Sequence, residues 1–155
     1  MRAAGSAGTQ YAPRDPIRYL YHTVHWEPMG PIIVVAEDNQ PFRSMLVSTL
    51  TLNGYTPIPA ADGHEALLRV KESLTAALLI DVSLPGMSGV RVVEVLRAQD
   101  EWANLPVIGM SGYDLPEDEA ALFTCFLQKP LVLGELLGYL NQLAPIPPAE
   151  DEAVP

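Results

Sequence analysis

Only one cysteine, Cys125, occurs in the 155 residues. No internal disulfide can form, and a reducing compartment suits the chain. Positive charge is also scarce: nine Lys and Arg face 19 Asp and Glu, giving a net charge of −10. Residues 31–144 alone hold six basic against 14 acidic side chains. An acidic domain with no basic stripe is a poor partner for nucleic acid. No apolar run exceeds about six residues, far short of the roughly 20 a membrane helix needs. The N-terminus has no apolar core of a signal peptide, and no internal repeat is visible. These absences point to a cytoplasmic protein that makes no use of nucleic acid or membrane.

Hydrophobic residues make up 48% of the chain, enough for a full core. The length fits one domain with tails. Residues 1–30 carry no steady period and read as a flexible leader, although Tyr11, Tyr19, Tyr21 and Trp26 are scattered through it. Residues 145–155 open on Pro145-Ile146-Pro147-Pro148 and turn acidic, which suits a flexible tail.

Between these tails, over 31–144, strand-like and helix-like segments alternate. Ile32–Ala36 is a continuous apolar run, as a strand buried on both faces should be, and Ala76–Val82 and Leu105–Met110 read as two further buried strands. Tyr55–Pro59 reads as an edge strand, because Pro57 and Pro59 suit no other place. Thr124–Gln128 supplies a fifth strand. Helices are predicted over 40–53, ended by Asn53-Gly54, over 63–73 behind a capping Asp62, and over 90–98. Two more follow, a short one from Pro116 to about Phe123 and a last one over 131–143. Five βα units with right-handed crossovers give an α/β fold, a doubly wound parallel sheet with helices on both faces.

Ligands of such sheets bind beyond the carboxyl ends of the strands. The chain places polar groups at those ends: Glu37-Asp38, Asp81, Ser111 and Lys129-Pro130. Three carboxylates brought together repel unless a cation joins them. An oxygen set from Asp and Glu suits Mg²⁺, or a similar ion such as Mn²⁺, completed by phosphate oxygens and water. A carboxylate can attack phosphorus to give an acyl phosphate. Lys129 would offer an ammonium, and Ser111 a hydroxyl, to the phosphoryl oxygens.

The stretches Val34-Val35-Ala36-Glu37-Asp38-Asn39, Leu79 to Gly89, Val107 to Gly112 and Lys129-Pro130 together resemble the receiver domain of two-component response regulators. The resemblance covers about residues 31–144. It implies a flavodoxin-like (βα)5 fold with strand order 2-1-3-4-5, an order known for a family member rather than read from this sequence. It also implies that Asp81 accepts a phosphoryl group from a histidine kinase. Glu37, Asp38, Asp81 and the backbone carbonyl of Ser83 would hold Mg²⁺. Ser111 and Lys129 would contact the phosphoryl group, and Ser111 and Phe126 would form the conformational switch. The chain would then not be an enzyme but a phosphoacceptor that assists its own phosphorylation and dephosphorylation. Its partners would be a sensor kinase and a downstream protein or histidine phosphotransferase.

Several positions depart from the family pattern. Ser111 and Lys129 are about one helical turn closer than usual, so the fourth helix or its loop should be short. Phe123-Thr124-Cys125 replaces a Gly-Ala run, and Gly112 replaces a small Ala. Tyr113 stands where the family borders the water path to the phosphate, and its ring would slow hydrolysis. The last helix is rich in leucine. Core packing accounts for most of it, with Val132, Leu133 and Leu137 as the alternative, a homodimer patch. The sequence is read as a stand-alone response regulator, against a phosphorylation-independent interaction module. A phosphohydrolase with an Asp nucleophile fits less well, because Ser83 occupies the place of its second Asp.

Overall fold

A computed structural model describes residues 28–148. The expected leader therefore lies almost wholly outside the described residues, as does the tail from residue 149. The described strands are β1 (Ile32–Ala36), β2 (Thr56–Ala60), β3 (Thr75–Asp81), β4 (Val107–Ser111) and β5 (Cys125–Gln128). The helices are α1 (Gln40–Leu52), α2 (Gly63–Glu72), α3 (Gly89–Arg97), α4 (Glu117–Ala120) and α5 (Leu133–Leu143). All strand pairs are parallel, in the order β2-β1-β3-β4-β5. This is the order that the resemblance implies.

Side chains of a strand alternate between faces, and β1 shows how this builds two cores. Val34 and Ala36, with Leu78 and Ile80 of β3, pack against Ala66 and Val70 of α2 and against Val92, Val93 and Leu96 of α3. Ile33 and Val35, with Ala77 and Leu79, pack against Leu46 and Leu50 of α1 and Leu136 and Leu140 of α5. Helices α1 and α5 thus cover one face and α2 and α3 the other. Every residue of β1 is buried, which explains its uninterrupted apolar run.

Local signals set the helix starts. The Asn39 side chain accepts the Phe42 N–H (2.9 Å), Asp62 accepts from Glu65 N–H (2.8 Å), and Ser88 accepts from Arg91 N–H (3.2 Å). Helix α1 ends at Asn53, and Gly54 takes a left-handed φ of 86° that a side chain would strain.

Three readings need correction. The fourth strand spans Val107–Ser111 rather than Leu105–Met110, so Ser111 is its last residue. The last helix starts at Leu133, because the chain stays extended through Val132 (φ −95°, ψ 108°). Leu52, an apolar residue near helical spacing with Phe42, Met45, Leu46, Thr49 and Leu50, is 87% exposed. Two residues beyond the buried Leu50, it lies on the opposite side of the helix, about 200° around its axis.

The fourth helix is a single turn, Glu117–Ala120, as the short interval predicts. Such a turn has little stability of its own. Arg97, the last residue of α3, ties the segments around it together. Its Nε donates to Leu122 O (3.0 Å), and its Nη1 donates to Ala103 O (3.0 Å) and Leu105 O (2.8 Å). Burial lowers its pKa from the ordinary arginine value.

Candidate functional site

The chain leaves β1 at Ala36 and turns into α1 through Glu37, Asp38 and Asn39. Glu37 is almost wholly buried and Asp38 is exposed. Asp81 is the last residue of the adjoining β3 and is also buried. Glu37, Asp38 and Asp81 each offer a carboxylate oxygen, and these oxygens lie within 4.8 Å of one another.

Lys129 follows the last residue of β5 and reaches back across the sheet edge. Its Nζ bonds Glu37 Oε2 at 2.9 Å and also pairs with Asp81 Oδ2. Burial opposes the ammonium charge, but the bonds to Asp81 and Glu37, with their charges, outweigh it. Lys129 therefore titrates above the ordinary lysine value. Burial is also the largest influence on Glu37 and raises its pKa, against the opposing bonds from the Asn39 N–H and Lys129. The Lys129–Pro130 peptide is cis.

Both carboxylates that pair with Lys129 are braced on their second oxygen. Asp81 Oδ1 accepts the Ser83 N–H at 2.7 Å, and Glu37 Oε1 accepts the Asn39 N–H at 3.0 Å. Arg43, one turn into α1, donates from Nη1 to the Glu37 carbonyl at 2.6 Å. This fixes the backbone of the acidic turn without neutralising its side chains.

Ser111 is buried at the end of β4, one residue beyond the Asp81–Met110 register pair. Its hydroxyl donates to Tyr113 O (2.6 Å) and accepts the Tyr113 N–H (3.1 Å), so here it serves its own loop. The Tyr113 side chain is 55% exposed. Phe126 lies on β5 with its ring over Gly109 and 4.5 Å, centroid to centroid, from Phe123. A Cβ on Gly109 would come within 2.7 Å of Phe126 Cδ1 and 2.9 Å of Phe123 Cδ1, so the missing side chain is the seat of the ring.

The structure thus brings Glu37, Asp38, Asp81 and Lys129 into direct contact or close reach. Ser83, Ser111 and Tyr113 form the adjoining rim, and Phe126 sits below on the α2/α3 side. The sequence reading had given Asn39, Phe42, Arg43 and Gly109 no part in the site. Asn39 carried a signal, a capping residue two positions before Pro41. Arg43 and Phe42 carried none beyond their place on a helix. The donor set fits a hard divalent cation: it is all oxygen, partly buried, and open to solvent on the Asp38 side.

The chain matches the response regulator receiver domain family over residues 33–141. It is 32% identical over 118 residues to the transcriptional regulatory protein PrrA of Mycobacterium tuberculosis, a match covering 74% of this chain and 50% of PrrA. The sensor kinase/phosphatase CqsS of Vibrio cholerae is 30% identical over 111 residues, 68% of this chain and 16% of CqsS. The chain thus spans half or less of these relatives. Among solved structures, the chemotaxis protein CheY4 of Vibrio cholerae superposes with a TM-score of 0.68 at 29% identity, covering 73% of this chain and 98% of CheY4. The receiver domain of the sensor histidine kinase PA1611 of Pseudomonas aeruginosa, which holds a magnesium ion in its active-site cleft, gives 0.68 at 27%, with 74% and 97% covered.

The chain belongs to the response regulator receiver domain family, whose members serve two-component signalling.

Proposed function

We propose that Asp81 accepts a phosphoryl group from the phosphohistidine of a sensor kinase, and that the aspartyl phosphate changes which partner the protein binds. The observation that carries this reading is the cluster of Glu37, Asp38 and Asp81 at one sheet edge, with Lys129 bonded to two of the three. One Asp81 oxygen would attack phosphorus as the P–N bond to the imidazole breaks. The Ser83 N–H already holds Asp81 Oδ1 (2.7 Å), which leaves Oδ2, the oxygen facing Lys129, as the nucleophile. Lys129 would then pass from the carboxylate to a phosphoryl oxygen.

Asp38, Asp81, Glu37 and the Ser83 carbonyl are the residues proposed to hold Mg²⁺. When bound, the ion would neutralise the charge between the incoming phosphoryl group and the carboxylates. Ser111 would break its bond to Tyr113 O to donate to the phosphoryl group, and Phe126 would respond on the neighbouring strand. A ligand of this kind acts by shifting the balance between two conformations. The described residues hold one receiver fold, and the stand-alone reading is part of this proposal: output would pass through contact with a downstream protein or a histidine phosphotransferase. Val132, 63% exposed just before the last helix, and Leu133, 36% exposed in its first turn, support a self-association surface there, whereas Leu137 packs partly against the core. Cytoplasmic placement belongs to the same reading, and among the described residues no helix is long and apolar enough to cross a membrane.

Incubation with acetyl phosphate, with and without Mg²⁺, read by intact mass, tests the proposal. The expected result is a single phosphoryl adduct that needs Mg²⁺ and is absent from Asp81→Asn. No adduct in folded protein, together with no beryllofluoride complex, would favour the phosphorylation-independent module instead.

A further inference from the structure

The Lys129 ammonium has a third neighbour besides its two carboxylates. Its Nζ lies 5.1 Å from the centroid of the Phe42 ring, within the range at which a cation is drawn to a ring face. Phe42 stands in the first turn of α1, and its position is not free. Its N–H is held by Asn39 Oδ1 at 2.9 Å, and the Asn39 N–H is held by Glu37 Oε1 at 3.0 Å. Glu37 Oε2 in turn accepts from Lys129 Nζ at 2.9 Å. Glu37, Asn39, Phe42 and Lys129 therefore form a closed circuit, in which the buried carboxylate that binds the lysine also sets the ring beneath it.

This circuit matters because the two carboxylates cannot hold Lys129 throughout a reaction. A divalent cation in the acidic cluster would compete for Glu37 and Asp81, and phosphorylation would take the Asp81 oxygen that Lys129 now contacts. A lysine stem loses about 2 kcal/mol of rotamer freedom when fixed, so an ammonium freed from its carboxylates tends to leave for water. The ring face carries no competing charge, binds no metal and keeps its attraction in every state. We propose that Phe42 is a positioning residue that keeps the Lys129 ammonium inside the site while its carboxylate partners are taken up by cation and phosphoryl group. The proposal rests on the reading of Asp81 as the phosphoryl acceptor.

The test replaces Phe42 with mono-, di- and trifluorophenylalanine, which keep the shape of the ring while draining charge from its face, and adds Phe42→Leu and Phe42→Tyr. Two quantities are read. One is the rate of adduct formation from acetyl phosphate in Mg²⁺. The other is the NMR shift of the Lys129 ε-methylene, which a ring beneath it moves upfield. Lys71, over Trp102 at 5.7 Å, is the only other lysine and serves as an internal reference. Progressive fluorination is expected to slow the reaction stepwise, by about two- to fivefold across the series. Phe42→Tyr should retain the rate, and Phe42→Leu should lose both rate and upfield shift. Equal rates across the fluorinated series, or a Lys129 shift unchanged in Phe42→Leu, would overturn the proposal. Wild-type protein that forms no adduct while keeping the upfield shift would instead refute the acceptor reading, and the positioning role with it.

Discussion

The Tyr113 phenol oxygen lies 3.3 Å from Ser83 Oγ, joining the loop after β4 to the loop after β3 beside Asp81. The same tyrosine holds the Ser111 hydroxyl through its backbone, and Ser83 holds Asp81 through its own. Two rim residues thus link the Asp81 carboxylate to the Ser111 hydroxyl.

Breaking that bridge should shorten the life of the aspartyl phosphate. Tyr113→Ala opens the rim to water, and hydrolysis is expected to accelerate several-fold. Tyr113→Phe, which loses only the phenol bond, should fall between the two. Phosphate release after removal of acetyl phosphate measures this, and an unchanged lifetime in Tyr113→Ala would remove the gating role.

Removing the lysine charge should destabilise the fold. Lys129→Met leaves two buried carboxylates without their cation, which costs about 3–5 kcal/mol for a fully buried pair, with the partial exposure of Lys129 favouring the lower end near neutral pH. The pH dependence carries a definite sign. The folded pKa of Lys129 lies above its ordinary value of 10.5, so its stabilisation is complete below 10.5 and is lost as pH rises through the folded value. On the alkaline side, urea unfolding at a series of pH values should show wild type losing its advantage over Lys129→Met above about 10.5.

Arg97→Met should cost about 2–4 kcal/mol, since carbonyls from the loop after α3 and from the end of the α4 segment lose a charged donor. Arg97→Lys should recover only part, because an ammonium has no planar fork. Amide exchange should localise the loosening to 98–105 and 117–124 before the rest of the sheet.

Gly109→Ala should disturb the Phe126 ring without touching the acidic cluster. The added methyl meets the Phe126 and Phe123 rings, and overpacking of this kind typically costs about 1–3 kcal/mol. Mg²⁺ affinity is expected to stay near wild type, measured by calorimetry, while the Phe126 ring resonances move. A large loss of Mg²⁺ binding would show that the two regions are not separable.

The sheet and its carboxyl-edge residues were legible because buried parallel strands are short, apolar and ended by polar residues, as at Ala36-Glu37 and Ile80-Asp81. Boundaries were less so. Leu52 is apolar and stands inside the first helix, but it falls on the face opposite the buried Leu50 and is exposed. Val132 is apolar and helix-compatible, yet the backbone stays extended there. The role of Phe42 was hidden for another reason. An aromatic at helical spacing reads as core, and the cation it meets arrives from a residue 87 positions further on. Gly109 was equally silent, since the empty space beside a glycine has meaning only once the ring that fills it is placed.

The two prolines of β2 have a consequence for the life of the protein in a crowded cell. Thr56 N–H donates inward to Pro31 O, and Ala60 O accepts from the Glu37 N–H, so alternate residues of β2 face β1. Positions 57 and 59 therefore turn their nitrogens outward, and both are proline. One rim of the sheet offers no amide hydrogen at those two places to a stray strand, which blunts it as a template for aggregation. The opposite rim, β5, lacks such protection but is only four residues long.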